Sequence, residues 1–233
     1  MDLTAKKKME IISALPLFDG LAEEYLGEIA DLAVEKRFKR GELIFSDGDP
    51  CNGFYIVIDG TIKVFKISPE GKEQIFHILG HGEPFGEVPV FTGKPFPANA
   101  EAITNSRLLF FPKDQFYRLI SDTPSLSLNM LGILSARLRQ FALQIEHLSL
   151  KEVPSRLASY LIYLAEEQGR PDVVTLSISK GQLASLLGTM PETLSRIFAR
   201  MTRGNLIYVN SREIELKDME GLHALADGVE SLV

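Results

Sequence analysis

Three textures of apolar and polar positions follow one another along the chain. In residues 1 to about 30, Leu21, Tyr25, Leu26 and Ile29 recur at helical spacing, which predicts short helices. From about Val34 to Phe111 the pattern changes to short apolar or alternating runs. Examples are Phe54-Tyr55-Ile56-Val57-Ile58, Ile62-Lys63-Val64-Phe65 and Ile75-Phe76-His77-Ile78-Leu79. Gly41, Gly48, Gly60, Gly71, Gly80, Gly82, Gly86 and Gly93 punctuate them. Many short strands at such spacing predict an antiparallel barrel or jelly roll. From about Pro112 the chain turns helical. Leu131, Leu134, Leu138, Phe141, Ile145 and Leu148 follow at intervals of 3, 4, 3, 4 and 3, a heptad seam that predicts pairing with a second copy. The competing reading is one amphipathic helix packed on its own β domain. Pro154 suits the first turn of a new helix, so the long helix is expected to end near Ser149. Ser155 to Glu167 reads as helix, closed by Gly169-Arg170-Pro171, and Val173 to Ile178 as a short strand.

The last third carries the most specific local signals. Ser179-Lys180-Gly181-Gln182 has the form of a capping box, so a helix should begin there and run to the break at Gly188. Pro191 fits the first position of the next helix, to about Thr202, where its missing N–H removes no bond. Leu194, Ile197, Phe198 and Met201 form one face of that helix; Glu192, Ser195, Arg196 and Arg200 form the other. Met190 at its N-cap is a weak capping residue. Leu206 to Val209, a turn at Asn210-Ser211, and Arg212 to Leu216 read as a hairpin. Two short helices, a glycine turn and a hairpin describe a winged helix-turn-helix. In that setting Arg196 can donate two hydrogen bonds to guanine, and Glu192 can accept from cytosine N4. Taken without its context, Glu192–Arg196 reads as a plain surface salt bridge between helical neighbours.

Composition sharpens this picture in three places. The chain has 233 residues, 45% of them hydrophobic, enough for one large or two smaller cores. The net charge is −6, an odd balance for a DNA binder, but Ile178 to Arg212 holds Lys180, Arg196, Arg200, Arg203 and Arg212 against Glu192 alone, a local +4. Such clustering also occurs on a merely solvated face. Cys51 is the one cysteine, which excludes a disulfide framework. The lack of a signal-peptide pattern or a bilayer-length apolar run leads us to expect a cytoplasmic protein without membrane contact. Enzymatic chemistry finds no support. His81-Gly82-Glu83 lacks the Pro-Cys-x-x-Cys of a zinc deaminase, and Gly80, Gly82 and Gly86 miss the dinucleotide spacing.

The ordered motifs resemble the CRP/FNR superfamily of bacterial regulators nearly end to end. They are Leu15-Pro16-Leu17-Phe18 with Gly20-Leu21, Arg40-Gly41-Glu42 with Gly48-Asp49, Phe54-Tyr55-Ile56-Val57 with Gly60, Gly82-Glu83 before Phe85-Gly86-Glu87, and Pro191-Glu192-Thr193-Leu194-Ser195-Arg196 with the wing. The resemblance implies an α+β protein. Residues 1–120 would form a double-stranded β-helix, a jelly roll of cyclic-nucleotide-binding type, with flanking helices. Residues 121–149 would be the dimerisation helix, and 150–233 the winged helix-turn-helix. It also implies a homodimer on double-stranded DNA, RNA polymerase as a further partner, and an effector pocket around Phe85, Gly86, Glu87, Pro97 and Ala98. Glu192, Ser195 and Arg196 match the FNR-type Glu-x-x-Ser-Arg pattern, implying TTGA-like half-sites in an inverted repeat; Arg200 and Lys180 would add DNA contacts.

The same resemblance bears on the signal. Cyclic nucleotide binders of the family carry an Arg-Ser or similar pair where this chain has Phe96-Pro97-Ala98-Asn99, which argues against that ligand. Iron–sulfur members need four cysteines, so no such cluster is expected. The linker Leu148-Ser149-Leu150-Lys151 and the Pro-Glu-Thr-x-Ser-Arg helix are similar to the DNR and HcpR nitric-oxide-responsive regulators, which implies heme and a role in nitrosative stress. His77, His81 and His147 are the axial-ligand candidates. The ligands of the carbon-monoxide-sensing branch are not matched, since Gly86 and Val88 stand in their places, and Leu15 and Pro16 replace the N-terminal histidines of DNR. A different small effector, or a constitutive DNA binder with a vestigial roll, are the alternatives.

Overall fold

The computed structural model describes residues 4–228; the side chain of His147 lies outside the described residues. The chain forms two compact units, one through Leu138 and one from Arg139.

The first unit opens with α1 (Ala5–Ser13), a 3-10 turn (Pro16–Phe18) and α2 (Glu23–Leu32). Eight strands follow: β1 (Val34–Phe38), β2 (Leu43–Phe45), β3 (Gly53–Asp59), β4 (Ile62–Ile67), β5 (Glu73–Leu79), β6 (Pro84–Phe85), β7 (Asn99–Ala102) and β8 (Ser106–Pro112). They make two four-stranded sheets, in the orders β1-β8-β3-β6 and β2-β7-β4-β5, with every pair antiparallel. This is the double-sheeted roll that the strand texture predicts.

Strand β3 shows why its sequence is apolar at five successive positions. Phe54, Ile56 and Ile58 join Leu109 and Phe111 in one core, against Leu17, Phe18, Ile29 and Phe116 of the helical segments. Val57 and Tyr55 point the other way, with Leu108, Phe45 and Phe85 in the second core between the sheets. A strand covered on both faces has no polar side to display.

The strand reading needs one correction. Residues 87–92, apolar and short, form α3 (Glu87–Thr92) between β6 and β7. Gly86 and Gly93 bound it in left-handed conformations, φ 77° and 68°, which a side chain at either place would resist. An apolar run of this length has no period with which to tell helix from strand.

Helix α4 (Lys113–Asp122) ends before Pro124, and α5 (Pro124–Leu150) begins there, so the long helix starts after residue 121. Asn129 Nδ2 donates to the carbonyls of Leu17 (3.2 Å) and Asp19 (2.9 Å), tying α5 to the 3-10 turn. Farther along α5, Leu131, Leu138, Ile145 and Leu148 are exposed, at 58%, 70%, 64% and 37%; Leu134 and Phe141 are half-buried. Within the single chain the seam is therefore largely uncovered.

The second unit holds the end of α5, then α6 (Val153–Gln168), β9 (Val173–Thr175), α7 (Lys180–Leu186), α8 (Pro191–Arg203), β10 (Ile207–Asn210), β11 (Glu213–Leu216) and α9 (Met219–Ala226). The hairpin gains a third strand, in the order β10-β11-β9. The segment read as strand to Ile178 ends as strand at Thr175. Helix α9 was not anticipated. Asp218 caps it by accepting from Gly221 N–H (2.9 Å), and Leu222 and Leu225 bury its inner face.

Candidate functional site

The helix-turn-helix is built by local signals. Ser179 Oγ accepts from Gln182 N–H (3.2 Å) while Gln182 Oε1 accepts from Ser179 N–H (2.8 Å), so the capping box closes in both directions. At the other end of α7, Gly188 is left-handed (φ 67°) and Thr189 N–H donates to Ala184 O (2.9 Å), a Schellman stop. Pro191 then starts α8 beside a Met190 N-cap that makes no side-chain bond.

Leu194, Ile197, Phe198 and Met201 are buried and hold α8 in the unit. Glu192, Ser195 and Arg196 are exposed together on its other face. Arg196 Nη2 donates to Thr193 Oγ1 (3.3 Å), so the guanidinium lies along its own helix. Arg200 is half-buried, unlike the other three. The Lys180 ammonium sits 5.1 Å from the centre of the Phe198 ring, a cation–π contact between α7 and α8. Glu192 in the first turn, and Arg200 and Arg203 in the last, match the helix dipole.

In the roll, the proposed pocket residues have different fates. Phe85, Glu87 and Ala98 are buried, Gly86 is the left-handed start of α3, and Pro97 is exposed. The neighbour Phe96, not anticipated, turns inward instead. Its ring stacks on Phe45 with centroids 3.8 Å apart and planes 7° from parallel, and Phe45 also meets Phe85 and Tyr55. A Cβ on Gly86 would stand 3.1 Å from Phe96 and 3.3 Å from Phe45. The two rings thus pack directly against the glycine of the loop.

A second unanticipated group is Arg137 of α5. Its Nη1 donates to Glu87 Oε1 (2.7 Å) and its Nη2 to Pro84 O (2.8 Å). Glu87 is 2% exposed, so removing the guanidinium would leave a buried carboxylate without its partner. His77 is half-buried on β5; burial, and secondarily the charge of Arg137, push its pKa down to about 4, so it is neutral at pH 7. His81 is exposed, and its Nδ1–H donates to Ile58 O (2.7 Å), leaving Nε2 as the acceptor nitrogen. The His147 side chain lies outside the described residues. Among the described residues, no group of three or more His, Cys, Asp or Glu could hold a metal ion, and no helix is long and apolar enough to cross a membrane.

Comparison with known proteins agrees with this layout. Residues 35–123 match the cyclic nucleotide-binding domain, and residues 155–225 match the Crp-like helix-turn-helix domain. The chain is 28% identical over 217 residues to the CRP-like cAMP-activated global transcriptional regulator of Mycobacterium tuberculosis, covering 91% of this chain and 97% of that one. It is 30% identical over 187 residues to the global nitrogen regulator of Synechocystis, covering 78% and 83%. The fold is shared with a CooA mutant from Carboxydothermus hydrogenoformans, with TM-score 0.76 and 21% identity over 94% of this chain and 99% of that one. A nucleotide-type roll, a long helix and a helix-turn-helix, in this order and with this similarity, place the chain in the CRP/FNR family of DNA-binding transcription regulators, proteins that act as dimers and are not enzymes.

Proposed function

We propose that the protein binds, as a homodimer joined along Leu131, Leu134, Leu138, Phe141, Ile145 and Leu148, an inverted repeat of TTGA-type half-sites, and that its roll adjusts this affinity in response to a small effector. In this reading residues 1–120 are the sensor, 121–149 the dimerisation helix and 150–233 the reading head. The protein works in the cytoplasm, with RNA polymerase as its further partner at promoters. The carrying observation is the surface of α8: Glu192, Ser195 and Arg196 exposed side by side on a helix whose opposite face is buried. Arg196 reads the guanine of the half-site, Glu192 accepts from a cytosine amine, and Lys180 and Arg200 support the contact. Fluorescence anisotropy on an operator and on scrambled DNA tests this. Arg196→Ala should weaken operator binding by about 1–3 kcal/mol and relax preference at the guanine alone. Equal weakening on both DNAs refutes the base contact.

The effector acts at the junction of α3 and α5, where Glu87 and Arg137 meet beside Gly86. The relatives' cyclic AMP is disfavoured here, because Phe96 and Phe45 fill the space under the loop and Pro97 and Ala98 offer no cation. Thermal shift with cyclic AMP and cyclic GMP tests that exclusion.

A second reading, response to nitric oxide through heme, rests on the DNR-like and HcpR-like linker and on His81. A histidine whose Nδ1–H is fixed by a carbonyl presents Nε2 in the manner of a metal ligand. The interior of the roll does not fit heme, since aromatic rings occupy it. Anaerobic hemin titration with His81→Ala as comparison decides it. A saturable Soret band lost in the variant supports the reading, and a spectrum like that of hemin with an unrelated protein removes it.

A further inference from the structure

The junction between α5 and α6 and the turn between α7 and α8 are far apart in sequence, yet one side chain serves both. Arg156, in the first turn of α6, donates from Nε to Lys151 O (3.1 Å) and from Nη1 to Leu187 O (2.5 Å). Lys151 lies in the short junction after α5, and its own ammonium donates to Ser159 Oγ (3.1 Å), farther along α6. Leu187 is the C-cap of α7, where a helix leaves carbonyls without intrahelical partners. Its residue also opens the turn that Gly188 and Thr189 complete before α8. The guanidinium is half-buried, and burial holds its pKa below the ordinary arginine value, so it is tied down rather than solvated.

We propose that Arg156 is a positioning residue for DNA recognition: its guanidinium clamps the turn of the helix-turn-helix to the junction that follows the long helix, so that the direction of that junction fixes where α8 stands. The planar fork matters. Arginine presents donors at fixed angles, and two carbonyls on different segments are then held at one separation. A lysine ammonium on a flexible stem reaches one of them but does not set the angle between them. Because α8 of each subunit enters its own half-site, its direction relative to the dimer helix appears in DNA as a preferred spacing between half-sites. The inference rests on the family's DNA binding, and only its second test uses the operator proposed above.

Two measurements on the full-length dimer test it, with Arg156→Gln and Arg156→Lys. The first is hydrogen exchange without DNA. Arg156→Gln should lose protection at Leu187–Thr189 and at Lys151–Val153 together, with the rest of residues 139–228 unchanged. Uniform loss across the unit, or loss at one of the two segments, overturns the clamp. The second is affinity for operators with the spacer lengthened or shortened by one base pair. Wild type should lose at least about tenfold on either change, and Arg156→Gln only about two- to threefold, while base preferences within each half-site persist. Arg156→Lys should behave like the glutamine variant. An unchanged spacing profile in the glutamine variant, or a uniform affinity loss at all spacings, refutes positioning and leaves a stability role. Failure of wild type to bind the TTGA repeat would count against the proposed site, while the exchange result still decides the clamp.

Discussion

Replacing Phe96 by alanine removes the ring that lies under the Gly86 loop. Phe96 is 6% exposed and stacks face to face on Phe45, which in turn packs on Phe85 and Tyr55. The lost transfer free energy and the cavity left behind together come to about 3–5 kcal/mol for a buried phenylalanine. Most of the stack is made of large rings on strands, which relax poorly into a void, so the upper half of that range is expected. For a unit of this size the melting temperature of the sensor should fall by roughly 14–17 °C. Differential scanning calorimetry of the dimer reads this directly. A double-mutant cycle with Phe45→Ala isolates the stack, whose coupling should be about 0.5–1.5 kcal/mol. The cavity should also admit a small apolar probe such as benzene, which raises the melting temperature of the variant and not of wild type. A loss below about 1 kcal/mol with no coupling would mean that Phe96 does not fill the roll, and the argument against a nucleotide at that place would fall with it.

Three further outcomes follow from the same structure. His77 is held neutral in the fold with its pKa pushed down to about 4, whereas an unfolded histidine titrates near 6.5; acidification between those values protonates the unfolded chain first, so stability should fall by up to about 3 kcal/mol across that window, and His77→Gln should flatten the slope in urea melts. Leu138, 70% exposed, should tolerate aspartate in the folded monomer, so Leu138→Asp should give a folded monomer by sedimentation; a dimer of unchanged affinity would show that the seam is not the interface. Ser179→Ala opens one half of the capping box and should lower the stability of the DNA-binding unit by about 1 kcal/mol, measured by its thermal transition, with Ser179→Asp restoring most of it.

What the sequence disclosed was chiefly local or periodic. The capping box at Ser179 and Gln182 and the buried face of Leu194, Ile197, Phe198 and Met201 are written within a few residues, and the structure repeats them. Much of the candidate pocket was hidden because it depends on partners distant in the chain. Arg137 meets Glu87 across fifty positions, and nothing near either residue announces the other. Phe96 was passed over in favour of Pro97 because its neighbours' lack of charge was the readable fact, whereas its backbone is held by residues distant in the chain, donating to Asp49 O (3.0 Å) and accepting from Gly48 N–H (2.8 Å). Helix α9 did leave a signal, Asp218 ahead of Leu222 and Leu225, that an acidic tail obscured.

The pairing of the β1-β8-β3-β6 sheet also sets a schedule for synthesis. Strand β1 is made early, but among the described residues it pairs only with β8, with Val34 opposite Phe110 and Phe38 opposite Ser106. β3 likewise awaits β8 along nearly its whole length, from Gly53 opposite Pro112 to Asp59 opposite Arg107. While the ribosome is still making the intervening residues, both strands leave backbone groups open, and β3 its apolar side chains as well, to any neighbour that offers an edge. Only the late emergence of Ser106 to Pro112 closes that interval, and such long-range pairing folds slowly. Polysomes translating this message should therefore show their greatest demand for chaperones just before that strand leaves the exit tunnel, and a substitution that weakens β8 should reduce the yield of soluble protein more than its effect on the melting temperature implies.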